Sequence, residues 1–239
     1  MKLRATIVFV LLLATLSLVA EDSVSNVEIR VLESFDDPAA RLWAVRGSRF
    51  VTDGYPQMNY VDAWPRTAFG QNWENQDLKC LGIYGKFDRA GYNYIEIFPV
   101  TEDATGNLVP DSIMIPPIAK RVDMWVWGSN YNYYLEMHVL DYRGVDHVLP
   151  LGSLRFRGWK RLSVTIPSRI PQLDVHLPRY QEIEFTKLVL WTRPQERVDG
   201  FYVYFDQMKV LTDTYREDFD GNKLLDEQMV EQIWGSQID

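Results

Sequence analysis

One cysteine, Cys80, stands in 239 residues, so no intramolecular disulfide is available and the fold must be held by its core. No Asn-x-Ser/Thr triplet occurs, which removes the usual acceptor for N-glycans. The three histidines, His138, His147 and His176, lack metal-ligand spacing, so no metal site and no cofactor is expected. There is no Gly-x-Ser-x-Gly elbow, and Cys80 has no histidine nearby in the sequence, so it reads as a small core residue. The apolar run Ala5–Val19 is too short to cross a bilayer comfortably.

That run follows Lys2 and Arg4 and closes on Ala20, the order of a secretory signal peptide, with cleavage expected after Ala20. Glu21, Asp22 and Ser23 follow it where a stop-transfer flank would be basic. No membrane association is expected once the signal is removed. Loss of Lys2 and Arg4 takes the formal net charge from -8 to about -10, which disfavours nucleic acid and anionic lipid as partners. An exported chain without a disulfide suits a bacterial periplasm. The expected organisation is a signal peptide over 1–20, one β-sandwich domain over 21–211, and a tail over 212–239.

Aromatic and β-branched residues recur in short runs closed by Pro, Gly or Asn, which predicts an antiparallel all-β domain. The strongest runs are Tyr92–Pro99, Val122–Trp127, Tyr133–Leu140, Arg161–Ile166, Glu184–Trp191 and Tyr202–Leu211. Pro99, Pro150, Pro167 and Pro194 are expected at or beyond run ends, where a missing N–H does not disturb a ladder. Tyr142-Arg143-Gly144 reads as a turn into a short strand, Asp146–Leu149. Sorted by a period of two, Val122, Met124 and Val126 oppose Asp123, Trp125 and Trp127. Leu135, Met137 and Val139 likewise oppose Tyr134, Glu136, His138 and Leu140. The first set of each reads as core.

The second set carries aromatics beside titratable groups. Trp125, Trp127, Tyr134, Tyr202 and Tyr204 form either a stacking surface for sugar rings or a second layer of core. Self-association would reconcile the two, because a polymer subunit covers aromatic surface on assembly. Near the end, Leu225, Met229 and Ile233 repeat every fourth residue, with Trp234 beside them and Gly235 after, predicting a short amphipathic helix over Leu224–Trp234. Its apolar stripe packs either on its own domain or on a neighbouring subunit. The segment Asp218–Asn222 departs from a calcium loop at its glycine and lacks the closing glutamate, so it reads as a capped turn. The carboxylate pairs Glu136 with Asp141 and Glu182 with Glu184 do not make a glycanase pattern, and no catalytic activity is expected.

Two stretches are expected to meet in space: Glu33-Ser-Phe-Asp36-Asp37 and Phe201-Tyr-Val-Tyr-Phe-Asp206-Gln-Met. The pairing resembles the galactose-binding-like jelly rolls of carbohydrate-binding modules, whose first and last strands are neighbours; a periplasmic module of that type is the alternative function. A closer resemblance spans most of the mature chain. It is carried by Asn59-Tyr-Val-Asp-Ala-Trp-Pro65, Gly91-Tyr-Asn-Tyr-Ile-Glu-Ile-Phe-Pro99, Trp125-Val-Trp-Gly-Ser-Asn-Tyr131, Gly158-Trp-Lys160 and Ile166-Pro167. Together these resemble the flagellar filament outer layer proteins of spirochaetes. The resemblance implies a periplasmic sheath subunit without catalytic role, with a flagellin core filament and other sheath subunits as partners. Trp125, Trp127, Tyr134, Tyr202, Tyr204, Leu225, Met229, Ile233 and Trp234 are the candidate assembly residues.

Overall fold

A computed structural model describes residues 27–69, 77–174, 180–214, 224 and 227–235. The signal segment, His176, the Asp218–Asn222 turn and Leu225 lie outside these residues. Among the described residues there are thirteen strands: β1 (Val27–Glu33), β2 (Leu42–Gly47), β3 (Gln57–Val61), β4 (Cys80–Gly85), β5 (Tyr94–Glu102), β6 (Leu108–Pro110), β7 (Ile113–Ile115), β8 (Ala119–Ser129), β9 (Tyr134–Leu140), β10 (Asp146–Ser153), β11 (Arg157–Thr165), β12 (Ile183–Trp191) and β13 (Phe201–Asp213). Two short helices accompany them, α1 (Arg66–Phe69) and α2 (Glu227–Trp234).

The strands form two antiparallel sheets. Sheet A runs β11-β8-β13-β4-β3, with β1 against the second half of β13. Sheet B runs β10-β9-β12-β5-β2, with β6 and β7 appended. As expected, the first and last strands pair, bringing Glu33 opposite Met208. The period-two sorting of β8 and β9 also holds. Val122, Met124 and Val126 are fully buried from sheet A, and Leu135, Met137 and Val139 from sheet B. They meet in one core with Phe185, Phe201 and Phe205, and Cys80 is buried as a free thiol. Burial pushes that thiol up to about 12, which leaves it inert at neutral pH.

Two prolines depart from expectation. Pro99 lies inside β5, which continues to Glu102. Pairing with β12 ends at Ile97 and pairing with β6 begins at Val100, so the absent N–H falls in a gap between partners, while the Pro99 carbonyl accepts from the Asp111 N–H at 2.9 Å. Pro150 lies inside β10, an edge strand that extends to Ser153 and carries a register shift between Pro150 and Gly152. The remaining strand ends differ from the sequence runs by a few residues, as where β11 starts at Arg157 and β13 ends at Asp213.

The β9–β10 hairpin shows how a polar side chain fixes a turn. Asp141 is buried, and its Oδ1 accepts from the backbone N–H of Arg143 at 2.9 Å and of Val145 at 3.1 Å, while Oδ2 meets His147 Nε2 at 3.0 Å. Gly144 takes φ 76°, which a side chain would strain. Burial pushes the Asp141 carboxyl pKa up, but the bonds from His147, Val145 and Arg143 outweigh it and hold it below the usual range. A carboxyl depressed on folding stabilises above its unfolded value near 3.9, and that contribution is lost as pH falls through the lower folded value. Asp141→Ala is therefore expected to cost about 1–3 kcal/mol at neutral pH by orphaning these donors. The deficit should shrink below about pH 4. Denaturant unfolding across pH checks it, and an unchanged midpoint at neutral pH would contradict it.

Candidate functional site

Each sheet turns one face to the core and one outward, and the outward faces carry the chemistry. On sheet A, Trp127 of β8 stands between Trp159 of β11 and Tyr204 of β13. The Trp127 and Tyr204 rings meet edge-on at 5.4 Å. Gly82 of β4 makes room for Tyr204, since a Cβ there would sit 2.8 Å from the ring. Trp125 lies one pair along, between Arg161 and Asp206. Tyr202 is 46% exposed and stacks on Tyr84 with centroids 4.3 Å apart, and Tyr55 meets Tyr84 edge-on at 5.0 Å. Trp125, Trp127 and Tyr204 are half-buried on this outward face.

The same face continues onto β1. Val27, Ile29 and Val31 pair with Asp213, Leu211 and Lys209, and all three are exposed, Ile29 at 64%. Alternation in this strand thus turns its apolar side outward, the reverse of the usual core-facing sort. An exposed apolar stripe of this kind is a candidate interaction surface. Under the aromatic surface lies Asp206, fully buried, with both carboxylate oxygens lacking a hydrogen-bond partner. Burial, and then repulsion from Asp36, push its carboxyl up to about 8.

Tyr134, grouped in the sequence with these aromatics, lies on the opposite sheet. On the outward face of sheet B it runs nearly parallel to Trp191, with centroids 6.2 Å apart, and Arg193 lies over its ring at 5.0 Å. Trp191 donates through Nε1 to Glu136 at 2.7 Å and contacts Tyr94 at 5.0 Å. Beside this platform a cavity of about 520 Å³ is lined by Arg46, Phe98, Asp111, Ser112, Glu184 and Lys187, among others. Glu96 bridges Lys187 Nζ and Arg46 Nε, each at 2.7 Å. Burial alone would push the Glu96 carboxyl pKa up, but these two cations hold it below its ordinary value.

The carboxylates considered for hydrolysis are otherwise engaged. Glu136 accepts from Trp191, Asp141 anchors its turn, and Glu184 accepts from the Ser112 hydroxyl at 2.7 Å. Glu182 precedes β12 and shares no strand with Glu184. In α2, described over Glu227–Trp234 within the expected Leu224–Trp234 segment, Met229 is half-buried. Val230, Ile233 and Trp234 are exposed, Trp234 at 54%. Of the expected stripe, Ile233 is thus exposed, Met229 is half-buried, and Leu225 lies outside the described residues. Sequence reasoning missed Tyr84, Tyr94, Trp159 and Trp191 as members of the two faces. Trp159 was legible in Gly158-Trp-Lys160, but its cross-strand neighbours were not.

The fold is an antiparallel jelly-roll β-sandwich that carries aromatic side chains on both outward faces. The flagellar filament outer layer protein FlaA family matches residues 34–221. A flagellar filament outer layer-like protein of Brachyspira hyodysenteriae is 31% identical over 155 residues, covering 65% of this chain and 67% of that one. The chain belongs to the flagellar filament outer layer protein family. Among solved structures, a family 61 carbohydrate-binding module in complex with β-1,4-galactotriose is similar over 79% of this chain and 99% of its own, with TM-score 0.41 and 15% identity. A family 11 carbohydrate-binding module of a Clostridium thermocellum cellulase matches 81% of this chain and 100% of its own, with TM-score 0.43 and 10% identity.

Proposed function

We propose that this chain is a non-catalytic outer-layer subunit of a periplasmic flagellum, coating a flagellin core filament and packing against copies or paralogues of itself, and so adding to filament stiffness and motility. The observation that carries the reading beyond family membership is the outward face of sheet A. Trp125, Trp127, Tyr202 and Tyr204 lie on one part of that face, and the exposed Val27, Ile29 and Val31 lie farther along it on β1. A chain of formal net charge -8, about -10 once Lys2 and Arg4 are removed, repels its own copies, and local apolar contacts of this kind offset that repulsion. Salt should therefore promote coating by screening.

The test is cosedimentation of the mature protein with flagellin filaments, alone and after truncation from Asn222 onward. Intact protein is expected to pellet with the filaments. The truncated form should melt like the intact one, because Ile233 and Trp234 are exposed, yet coat less well. Coating by the truncated form at full strength removes α2 from the interface. Failure of the intact protein to pellet overturns the reading. A second reading, a glycan-binding module, rests on the Trp191, Tyr134 and Tyr94 platform beside the sheet B cavity. Soluble glycan binding lost in Trp191→Ala, without pelleting of the intact protein, would favour it.

A further inference from the structure

Asp206 presents a problem that nothing in the protein around it solves. Its side chain is fully buried on β13, and neither carboxylate oxygen has a hydrogen-bond partner. The Gln207 N–H favours its charged form from nearby but lies outside hydrogen-bonding geometry. Lys209 also acts on it across space, without a hydrogen bond. A buried carboxylate without a partner is costly, and natural folds keep one where something absent from the chain completes it. What adjoins it is a second acid: Asp36, from the turn after β1, is close enough to repel it.

The surroundings of Asp36 point the same way. Its Oδ1 accepts from the Lys79 N–H at 3.2 Å, and its Oδ2 has a long 3.5 Å contact from Gln207 Nε2. The nearby ammonium of Lys79 is engaged elsewhere, at 2.5 Å from Asp77 and 3.8 Å from Asp62. Phe35 and Gln207, each next in sequence to one of the two acids, take φ of 64° and 50°, a conformation that non-glycine residues adopt only under constraint. The two constrained positions thus flank the two acids, and Asp36 lies near enough to act on the charge of Asp206.

We infer that Asp36 and Asp206 are the protein ligands of a site for a hard divalent cation of the calcium class. Two carboxylates offer oxygen only, which suits calcium and not a soft metal. Among the described residues no cluster of three or more His, Cys, Asp or Glu side chains would hold a metal. The remaining coordination therefore falls to backbone carbonyls and water, which calcium accepts readily and a transition metal does not. So few charged ligands place the affinity at the weak end of the calcium range, with a dissociation constant on the order of 0.1–1 mM. By joining the β1 turn to β13, the ion would tie the first and last strands of sheet A. The site stands apart from the assembly reading and survives its failure.

The experiment is thermal unfolding of the chelator-treated mature protein in EDTA and in about 10 mM calcium chloride. Calcium is expected to raise the midpoint by roughly 3–10 °C. The shift should vanish in Asp206→Asn and in Asp36→Asn, and Asp206→Asn in EDTA should melt no lower than the wild type, since an amide of the same shape replaces the buried acid. Should Asp206→Asn not fold, Asp36→Asn carries the test. Terbium gives a second readout, because Trp125 lies directly across the strand pair from Asp206 and should sensitise its emission in the wild type but in neither variant. A wild-type midpoint unmoved by calcium overturns the inference, as does a shift retained in both variants.

Discussion

Phe201→Ala is expected to lower the unfolding free energy by about 3–5 kcal/mol. Phe201 opens β13 at 1% exposure and sits where the two sheets meet. Its ring meets Tyr133 edge-on at 4.8 Å and lies against Phe87 at 6.2 Å. Tyr133 is itself tied down, its hydroxyl donating to the Arg197 carbonyl, so the cage has little freedom to collapse into the space vacated. On the far side the ring presses on Gly85, where a Cβ would lie 2.3 Å from Cζ. Gly85→Ala alone should thus destabilise by about 1–3 kcal/mol through overpacking. The double variant should be less destabilised than the sum of the singles, because the added methyl enters the emptied volume. Chemical denaturation of the three variants measures this. Additive losses, or a Phe201→Ala loss below about 1 kcal/mol, would contradict it.

Trp127→Ala is expected to weaken filament coating by more than about 2 kcal/mol while the monomer stays folded. Trp127 is half-buried on the outward face of sheet A, flanked by Trp159 and edge-on to Tyr204, with the true core on the opposite side of its strand at Val126. Truncation leaves the inward residues of β8 untouched. Tyr202→Ala, on the exposed end of the same surface, should act in the same direction. Cosedimentation at several protein concentrations, alongside thermal unfolding, separates the two effects. A variant that loses its melting transition would assign Trp127 to the fold, and one that coats like the wild type would clear it from the interface.

Much of the sandwich could be read from local pattern. In β8 and β9 the side chains with no exposure at all recur every second residue and are apolar, so Val122, Met124, Val126, Leu135, Met137 and Val139 declare their face without knowledge of any neighbour. The Asp141–Gly144 turn is equally local, since one side chain bonds the backbone a few residues on. Strand β1 misleads by the same rule. Its apolar residues alternate cleanly, yet they face solvent, because β1 joins β13 beyond the point where sheet B covers it closely. Pro99 and Pro150 misled for a related reason: whether a missing N–H is tolerated depends on which partner strand ends opposite it.

The sequence by itself determined acidity, the absence of an intramolecular disulfide, the antiparallel all-β class and the family, because composition and short motifs record these without reference to distant residues. Only the tertiary structure decided which aromatics share a surface. It set Tyr134 on sheet B with Trp191, and Trp127 on sheet A with Tyr204 and Trp159, through strand pairings between segments far apart in the chain. It alone brought Asp36 to Asp206, since a carboxylate becomes costly only when the fold takes water from it and puts another acid beside it.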